Sequence, residues 1–475
     1  MFYRFFALFA LFTLNVATLA DSADLPDIGD SAGNITPSEE YRTGEAVIRN
    51  IRRAGGVLDD PLVQNYLDEL GYRLVAASET EQPFHFFLIK DLSINAFALP
   101  GGFIGVNAGL ILATKSENEF AGVMAHEIAH VTQRHHARRY EQNDSNIPIL
   151  ATLIAAMVLG SQNNEIGQAA LASVAAGSAQ KQINFTRANE KEADRIGIEL
   201  LKDAEFNPYG MVTFFETMDK QARLYGDSIP EFLRSHPVNP SRIADASHRA
   251  RQYSKKLVKS SINYHLIRAR LNVLATDNKI ALLRDYESQM KQGNYQHQLA
   301  TQYGYALTLL ANKKLEVALK QAKQLVKNNP EQIALHLLKA RIETESKQYK
   351  AAIKTFKKLL RLHPGNSTIN IFYAETLLKA NKADLAHDVL QKQVSSENKT
   401  PILYQLLAES QAKLNMPAQS HQSLSEHFYL QGRTHDAIKQ IEIGLKLSKS
   451  DFYLTSRLEA RIKKFKQELH DLNKK

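Results

Sequence analysis

Cysteine is absent from this chain of 475 residues. The absence excludes a thiolate nucleophile, a CxxC zinc site and disulfide bonds. It also removes the residue to which a lipid anchor could be attached, so we expect a mature protein without a lipid tether. The chain is too long for one hydrophobic core, and we therefore expect two or three domains.

Long apolar runs are also scarce. The run at residues 5–16 is shorter than the roughly 20 residues that span a bilayer. It follows Arg4 and precedes small residues that extend to Ala20, which is the pattern of a signal peptide. We predict a signal peptide at residues 1–20, cleaved near Ala20, and export to the periplasm. An uncleaved membrane anchor is the alternative.

Two further segments have biased compositions. Residues 21–38 are rich in Asp, Gly, Ser and Pro, which predicts a flexible arm. Residues 147–180 begin with an apolar stretch and continue with alanine and glycine, which favours a buried or interfacial helix over a transmembrane one. Close core packing is our interpretation of the second segment. Movement over a neighbouring site and peripheral contact with a membrane are alternatives.

The chain lacks the motifs of nucleic-acid-binding domains, because it has no RNP, zinc-finger or clustered-arginine signature. Its net charge of +9 is divided unevenly. Residues 301–475 contain 29 Lys and Arg against 16 Asp and Glu, which is +13 and leaves −4 for residues 1–300. The excess is scattered lysine at helical spacing, which indicates a solvated helical face or a surface for an anionic partner, with no nucleic acid expected.

The sequence HEIAH at residues 126–130 is the first candidate site. Apolar residues flank it at three- and four-residue spacing, which predicts an amphipathic helix: Phe120, Val123, Met124 and Ile128. One turn apart on that helix, His126 and His130 can converge on a tetrahedral Zn²⁺, and Glu127 can reach water at an open coordination position. A chance match with ordinary histidines is the alternative from this pattern alone.

A third protein ligand is expected on a later helix, and FTRANEKEADRIGIELL at residues 185–201 predicts one. Glu190 is our third ligand, with Asp194 one turn on to support it or a ligand histidine. Glu192 is the competing ligand, but it lies roughly 200° round the helix from Glu190. His135 and His136 point away from the metal on a continuous helix, so we leave both out of the site.

Strand patterns precede the HEIAH helix. The aromatic and β-branched stretch at residues 83–91 predicts a strand, and INAFALPGGFIGVNAGLI at residues 94–111 predicts a hairpin around Pro100. Residues 39–71 follow a helical pattern. The first half of the chain is therefore expected to combine helices with a small sheet.

The last third of the chain repeats with a period of 34. Three sets of residues recur at this interval: Ala306, Ala340, Ala374 and Ala408; Ala318, Ala352 and Ala386; Pro330 and Pro364. The period resembles tetratricopeptide repeats at residues 299–332, 333–366, 367–400 and 401–434. Ser420 departs from the pattern, and we expect an extra half-repeat and a capping helix that runs to Lys475. Such repeats present a concave surface to other proteins, although a rigid spacer is the alternative.

Four motifs in order resemble one family, the zinc endopeptidases related to the CAAX prenyl proteases. They are HEIAH, the later ANEKEADRIG, NAFALPGG at residues 95–102, and SHPVNPSRIAD at residues 235–245. The resemblance implies Zn²⁺, one per chain, held by His126, His130 and Glu190. It also implies the general base Glu127 and the supporting acid Asp194.

The resemblance assigns two further roles. His236 would approach the metal from a loop and occupy its open position at rest, although an ordinary surface histidine remains the alternative. An extended substrate would pair with a strand edge formed by Asn95, Ala96, Phe97 and Ala98. Either His236 or Arg242 could stabilise the oxyanion, and the sequence does not choose between them.

We therefore predict a mainly α protein. A zincin-like α+β metallopeptidase domain with a small β-hairpin or sheet spans residues 39–262, and a tetratricopeptide-repeat α-solenoid spans residues 263–475. The resemblance implies a periplasmic endopeptidase that degrades misfolded or stalled outer-membrane β-barrel proteins and docks through its repeats on their assembly machinery, with a chaperone-like role. The alternative is a non-proteolytic chaperone or adaptor with an idle metal site.

Overall fold

A computed structural model describes residues 36–135, 187–225, 230–253, 258–293, 295–394 and 399–473. The predicted signal peptide, the segment at residues 147–180 and His136 lie outside this part of the chain. Most of the predicted arm does too, but its last residues belong to the first helix, α1 (Pro37–Arg53). Among the described helices, none has an apolar stretch long enough to span a bilayer.

A three-stranded sheet is formed by β1 (His85–Ile89), β2 (Ala96–Leu99) and β3 (Phe103–Asn107), in the order β1-β3-β2. β1 pairs with β3 in parallel, and β2 pairs with β3 in antiparallel. The predicted strand and hairpin are thus confirmed. At the hairpin turn, Gly102 has a φ of 80°, and a Cβ there would lie 1.9 Å from the Pro83 carbonyl oxygen, so the turn requires glycine.

Both faces of the sheet are buried, as the period-two alternation of strands allows. Phe86 and Leu88 pack into the main core with α2 (Pro61–Ala76), whereas Phe87 and Ile89 pack against α1. The prediction of one helical segment at residues 39–71 is wrong in one respect. The segment contains two helices, because α1 ends at Arg53 and α2 begins at Pro61, after the N-cap residue Asp60.

The HEIAH sequence lies on α4 (Glu117–Thr132), which follows the short α3 (Ala108–Ala113). Ser116 caps α4 by accepting a hydrogen bond from the amide of Glu119. The predicted helix is confirmed. The prediction that it is amphipathic, with one face in solvent, is wrong, because every residue from Glu117 to Val131 is buried. α4 therefore crosses the interior, and ionisable groups on it must find partners inside the protein.

Four helices of the described chain complete the first half around α4. They are α5 (Arg187–Asp203), α6 (Tyr209–Tyr225), α7 (Glu231–Ser235) and α8 (Pro240–Ala250). α4 packs most extensively on α5 and α6. The architecture of a small sheet with surrounding helices matches the predicted fold class.

Helix pairs make up the second half. In chain order they are α9 (Ile262–Ala275) and α10 (Lys279–Gln292), α11 (Gln298–Ala311) and α12 (Leu315–Asn328), α13 (Ile333–Glu345) and α14 (Tyr349–Leu362), α15 (Ser367–Lys379) and α16 (Ala383–Val394), α17 (Pro401–Lys413) and α18 (Pro417–Leu430), α19 (Thr434–Leu447) and α20 (Phe452–Asn473).

Each of the four predicted repeats corresponds to one helix pair, from α11 and α12 to α17 and α18. The recurring alanines lie where helices approach closely, since Ala306, Ala340, Ala374 and Ala408 are all buried. The extra helices expected after residue 430 are α19 and the longer α20. The pair of α9 and α10 lies in the predicted helical domain at residues 263–475, but no repeat was assigned to it, because residues 262–292 lack the alanine columns of the later repeats.

A buried ion pair joins the two halves of the chain. Nε and Nη2 of Arg270, on α9, donate to the two carboxylate oxygens of Asp60 at 2.8 and 2.6 Å. Asp60 also accepts hydrogen bonds from the amides of Leu62 and Val63 at the start of α2. Burial raises the pKa of Asp60, but the guanidinium of Arg270 outweighs this and lowers it below its ordinary value.

Removing Arg270 should destabilise the protein strongly. In Arg270→Met the carboxylate of Asp60 loses its buried partner, so we expect a loss of about 3–5 kcal/mol and a lower midpoint of urea unfolding. The double variant Asp60→Asn/Arg270→Met should recover most of the loss, because asparagine still caps α2 without a charge. Arg223→Met, which breaks an exposed pair with Asp219, is the control.

The same ion pair has a defined pH dependence. Because the pKa of Asp60 is lowered on folding, its contribution is present above the unfolded pKa and is lost as pH falls through the folded pKa. The difference between the urea unfolding midpoints of wild type and Arg270→Met should therefore become smaller as the pH is lowered. An equal gap at all pH values would contradict this account.

Candidate metal centre

Four buried side chains converge between α4, α5 and the segment before α8. His126, His130, Glu190 and His236 each offer a ligand atom, and these atoms all lie within 4.8 Å of one another. The two histidines of HEIAH project from one face of α4, as their spacing of one turn predicts. Glu190 comes from the first turn of α5, so the structure brings the predicted ligand set together.

Close helix packing makes this convergence possible. Gly197 lies where α5 crosses α4, and a Cβ at this position would be 2.7 Å from Met211 and 3.2 Å from the backbone nitrogen of His126. A larger residue would therefore push the helices apart. One and two helical turns before Gly197, the carboxylates of Asp194 and Glu190 can then reach the imidazoles on α4.

The distances between the donor atoms suit a small cation. Nε2 of His126 lies 3.0 Å from Nε2 of His130 and 3.5 Å from Oε2 of Glu190. Oε1 of Glu190 lies 3.5 Å from Nε2 of His130. Ligand atoms of a tetrahedral zinc ion, with bonds of about 2.0–2.1 Å, are about 3.3 Å from one another. Nitrogen and carboxylate ligands in this arrangement therefore fit Zn²⁺.

Two buried groups support the ligands from behind. Oδ1 of Asp194 lies 3.0 Å from Nδ1 of His126, on the opposite side of the ring from the ligand nitrogen. Arg242 donates from Nε and Nη2 to the two carboxylate oxygens of Asp194, each at 2.7 Å. A carboxylate behind a ligand histidine fixes the orientation of the ring and increases its basicity.

Arg242 is a positioning residue in this structure. Besides Asp194, its Nη1 lies 2.8 Å from Oε2 of Glu190 and donates to the carbonyl oxygen of Pro237 at 2.9 Å. Because these contacts engage its donors on acids and backbone, Arg242 does not point at a substrate position. Of the two oxyanion candidates, His236 is the one whose ring faces the ligand group.

Protonation of the site opposes metal binding. Burial favours a neutral ring, but the hydrogen bonds to Asp194 and Glu190 raise the pKa of His126 to about 9. Burial lowers the pKa of His130 well below its usual range. Burial would raise the pKa of Glu190, but His236 and the other histidines hold it well below its usual range. An imidazole must be neutral to bind metal, so protons compete with zinc at His126.

Glu127, the residue after His126 on α4, also faces the group of ligand atoms. Both of its carboxylate oxygens are buried, and no hydrogen bond of ordinary geometry reaches them from the described part of the chain, although the backbone amide of Ala98 lies close by. Nε2 of His236 lies 3.4 Å from its Oε1. Burial raises the pKa of Glu127, and the nearby imidazoles of His236 and His126 reduce the rise. A buried carboxylate with a raised pKa is suited to hold a proton.

His236 is buried, so the alternative of an ordinary surface histidine is wrong. It follows α7, its amide donates to the carbonyl of Phe232, and its ring stacks on the Phe232 ring at 5.0 Å between centroids. Nδ1 of His236 lies 3.0 Å from Oε1 of Glu190 and 3.3 Å from Nε2 of His126. The histidine therefore occupies the side of the ligand group that HEIAH leaves open.

The structure separates Glu192 from the ligand group, because its Oε2 lies 3.0 Å from Nε2 of His135. His135 is not a member of the group, as expected. We expected His135 to lie on a continuation of α4 and to point away from the metal. This expectation is wrong, because the ring of His135 contacts a ligand histidine. Nδ1 of His135 lies 2.7 Å from Nδ1 of His130.

The predicted edge residues lie beside this centre. β2 is an edge strand and contains Ala96, Phe97 and Ala98, while Asn95 immediately precedes it. The side chains of Ala96 and Ala98 are buried on the face of the sheet toward α4, and the backbone amide of Ala98 lowers the pKa of Glu127. The strand backbone thus runs close to the candidate base.

Comparison with known proteins agrees with this arrangement. Residues 61–250 match peptidase family M48, and residues 343–410 match the tetratricopeptide repeat. The chain is 34% identical over 442 residues to the beta-barrel assembly-enhancing protease of Escherichia coli K12, covering 92% of this chain and 90% of that protein. It is 37% identical over 438 residues to a putative beta-barrel assembly-enhancing protease of Vibrio cholerae, covering 91% and 90%.

A more distant relative matches a shorter part. The mitochondrial metalloendopeptidase OMA1 of Arabidopsis thaliana is 29% identical over 217 residues, covering 45% of this chain and 42% of that protein. The relatives are proteases or metalloendopeptidases by name, and the donor set described above suits zinc. The chain therefore belongs to peptidase family M48 and is a zinc metalloendopeptidase with C-terminal tetratricopeptide repeats.

Proposed function

We propose that this protease acts in the periplasm, where it degrades misfolded or stalled outer-membrane β-barrel proteins. The observation that carries the proposal is the edge strand β2, whose backbone lies beside the buried ligand group and Glu127. A client whose strands are unpaired offers the extended backbone that such an edge can bind. The names of the relatives from Escherichia coli and Vibrio cholerae point to the same class of client.

In this proposal His126, His130 and Glu190 hold the zinc ion, and Asp194 orients His126. A zinc ion bound there supplies Lewis-acid activation of a water molecule and of the peptide carbonyl. Glu127 takes a proton from the attacking water and later delivers it to the leaving amine. Its burial and raised pKa favour this exchange, because they keep the proton affinity of the carboxylate above that of an exposed glutamate.

The two edges of the sheet differ in a way that favours substrate pairing at β2. Along β1, the carbonyl oxygens of Phe84, Phe86 and Leu88 accept hydrogen bonds from Tyr72, Gln64 and the amide of Leu58. In the part of the chain that the structure describes, the outer side of β2 has fewer such bonds: the amide of Ala98 faces Glu127, and the amide of Phe232 donates to the carbonyl of Ile94 just before the strand. An unpaired edge accepts another strand through backbone hydrogen bonds with little demand on sequence.

Backbone pairing at β2 predicts a period of two in a substrate scan. We expect N-methylation of single amides in a fluorogenic unfolded peptide to lower kcat/KM at alternate positions, because only every second amide faces the edge. One lost hydrogen bond costs about 0.5–1.5 kcal/mol, or roughly 2- to 10-fold. A uniform effect at all positions, or none, would argue against pairing.

His236 is proposed to act as a latch. Its ring contacts both Glu190 and Glu127, so in this position it stands where a substrate carbonyl must approach. The next residue, Pro237, is held through its carbonyl oxygen by Arg242. Movement of the loop at residues 236–239 would free the site, and the histidine could then stabilise the oxyanion from a withdrawn position.

Replacing His236 by Ala should raise the hydrolysis of an unfolded β-rich substrate, because the resting obstruction is removed. Initial rates at saturating substrate measure this. The matched control is His248→Ala, an exposed histidine on α8, which should leave the rate unchanged. Unchanged or lower turnover in His236→Ala would refute the latch and favour the oxyanion role.

The repeats are proposed to dock the protease on the outer-membrane β-barrel assembly machinery. A cleft of about 1120 Å³ lies between the repeats and α1, α2 and β1, and its lining includes Arg49, Arg52, Tyr404 and Arg461. This space is large enough for a segment of another protein. The charge of +13 on residues 301–475 favours an anionic partner, whose binding should weaken with salt.

A non-proteolytic chaperone or adaptor is the second candidate, and the docking cleft is the observation that favours it. The carboxylate of Glu127 argues for catalysis, because a purely structural zinc site has no use for a buried base. Both activities can reside in one chain. The variant Glu127→Gln separates the two activities, since only hydrolysis depends on the base.

Glu127→Gln should abolish proteolysis while zinc content and partner capture remain. We expect kcat to fall by about 10²- to 10⁴-fold, since the side chain keeps its shape and loses its base. Degradation time courses, metal analysis and capture of assembly-machinery components at low and high salt measure the three properties. Glu199→Gln, exposed on α5, is the control. Equal turnover in wild type and Glu127→Gln would eliminate the proposed catalytic role.

A further inference from the structure

His130 makes a contact that the proposed reaction does not use. Its Nδ1 lies 2.7 Å from Nδ1 of His135, and Nε2 of His135 lies 3.0 Å from Oε2 of Glu192. The His135 side chain has no exposed surface, whereas that of Glu192 is one-third exposed. A chain of side chains thus leads from the ligand group to the rim of the domain.

We propose that His135 and Glu192 form a relay that positions His130 for zinc binding. The inference rests on the proposed role of His130 as a zinc ligand through Nε2. In this relay His135 is a positioning residue, since it contacts a ligand and not the metal or the substrate. Glu192, which we first considered as a competing ligand, acts through His135.

The positions of the protons follow from the geometry. Nε2 of His130 faces the ligand group, at 3.0 Å from Nε2 of His126. A neutral imidazole that offers Nε2 to a metal carries its hydrogen on Nδ1, so Nδ1 of His130 donates to Nδ1 of His135. His135 must then carry its own hydrogen on Nε2, and Glu192 accepts it. Both hydrogen bonds are satisfied by one assignment of tautomers.

The end of α4 is shaped to make this contact. On a continuous helix His135 would lie about 140° round from His130, but α4 ends at Thr132. Arg134 then adopts a left-handed conformation with a φ of 49°, which is unfavourable for a residue with a Cβ and reverses the chain. An ion pair between Arg134 and Glu40 at 3.0 Å ties the turn to α1. The reversal returns the ring of His135 to that of His130.

The other histidine of HEIAH has an equivalent support. Asp194 lies 3.0 Å from Nδ1 of His126, so a carboxylate supports that ligand directly. For His130 the carboxylate of Glu192 acts through one intervening ring. Partners behind a ligand histidine fix its tautomer and orientation and raise its basicity, and their loss costs about 10- to 100-fold in metal affinity. The relay therefore gives both α4 ligands an acidic partner.

Zinc affinity of the full chain, measured by competition with a chelator, tests the relay. His135→Leu removes the acceptor and should weaken zinc binding by about 10- to 100-fold. His135→Asn offers an amide oxygen close to the position of Nδ1 and should restore most of the affinity. Glu192→Gln keeps an acceptor but loses the charge, so we expect an intermediate loss. Glu199→Gln, exposed on the same helix, is the matched control.

A second readout separates positioning from general packing. In the cobalt-substituted chain, His135→Leu should shift the ligand-field absorption bands, because His130 no longer has a fixed ring orientation, and His135→Asn should return them toward wild type. Unfolding midpoints identify variants that fail to fold. His135→Asn and Glu192→Gln, which keep polar side chains of similar size, test the relay even if the leucine variant does not fold.

The outcomes distinguish this inference from the proposed function. If wild type binds zinc tightly and His135→Leu binds it equally well, the relay is wrong and the proposed zinc site stands. Equal losses in His135→Leu and His135→Asn would also overturn the relay, since packing and not a hydrogen bond would be responsible. Failure of the wild-type chain to bind zinc would overturn the proposed ligand set and the relay together.

Discussion

The burial of several ionisable side chains around one point is the constraint on which the rest of the structure depends. Glu127, Glu190 and Asp194 all lie in the interior, where an unpaired charge costs several kcal/mol. Arg242 neutralises two of these acids, and the histidines with their metal account for the remaining charge. Helices α4, α5 and α8 must therefore stay in contact, because separating any of them would leave a charge without a partner.

The two edges of the small sheet have different surroundings. β1 is covered by α2 and by the segment before it, so its backbone groups are satisfied. β2 is the other edge strand, and its backbone runs past the carboxylate of Glu127. The small side chains of Ala96 and Ala98 allow the sheet and α4 to approach closely.

The hydrophobic core of the protease domain is continuous with that of the repeats. Helix α9 contributes Tyr264, Ile267 and Leu271 to the main core, while Leu266 and Val273 belong to the core of the first repeats. The pair of Asp60 and Arg270 crosses the same junction. The cleft of about 1120 Å³ lies at this junction, between the repeats and α1, α2 and β1.

Local and periodic features of the fold can be predicted from the sequence. Helix α4, the hairpin around Pro100 and the repeats of 34 residues were predictable, because neighbours in sequence set them. The tertiary structure alone decided the burial of His236, the pairing of Arg242 with Asp194 and the contact of His135 with His130. The first two depend on residues brought together from 110 and 48 positions apart, and the third on a left-handed residue that ends a helix. Periodicity cannot predict such contacts, since it assumes that each element continues and says nothing of what packs against it.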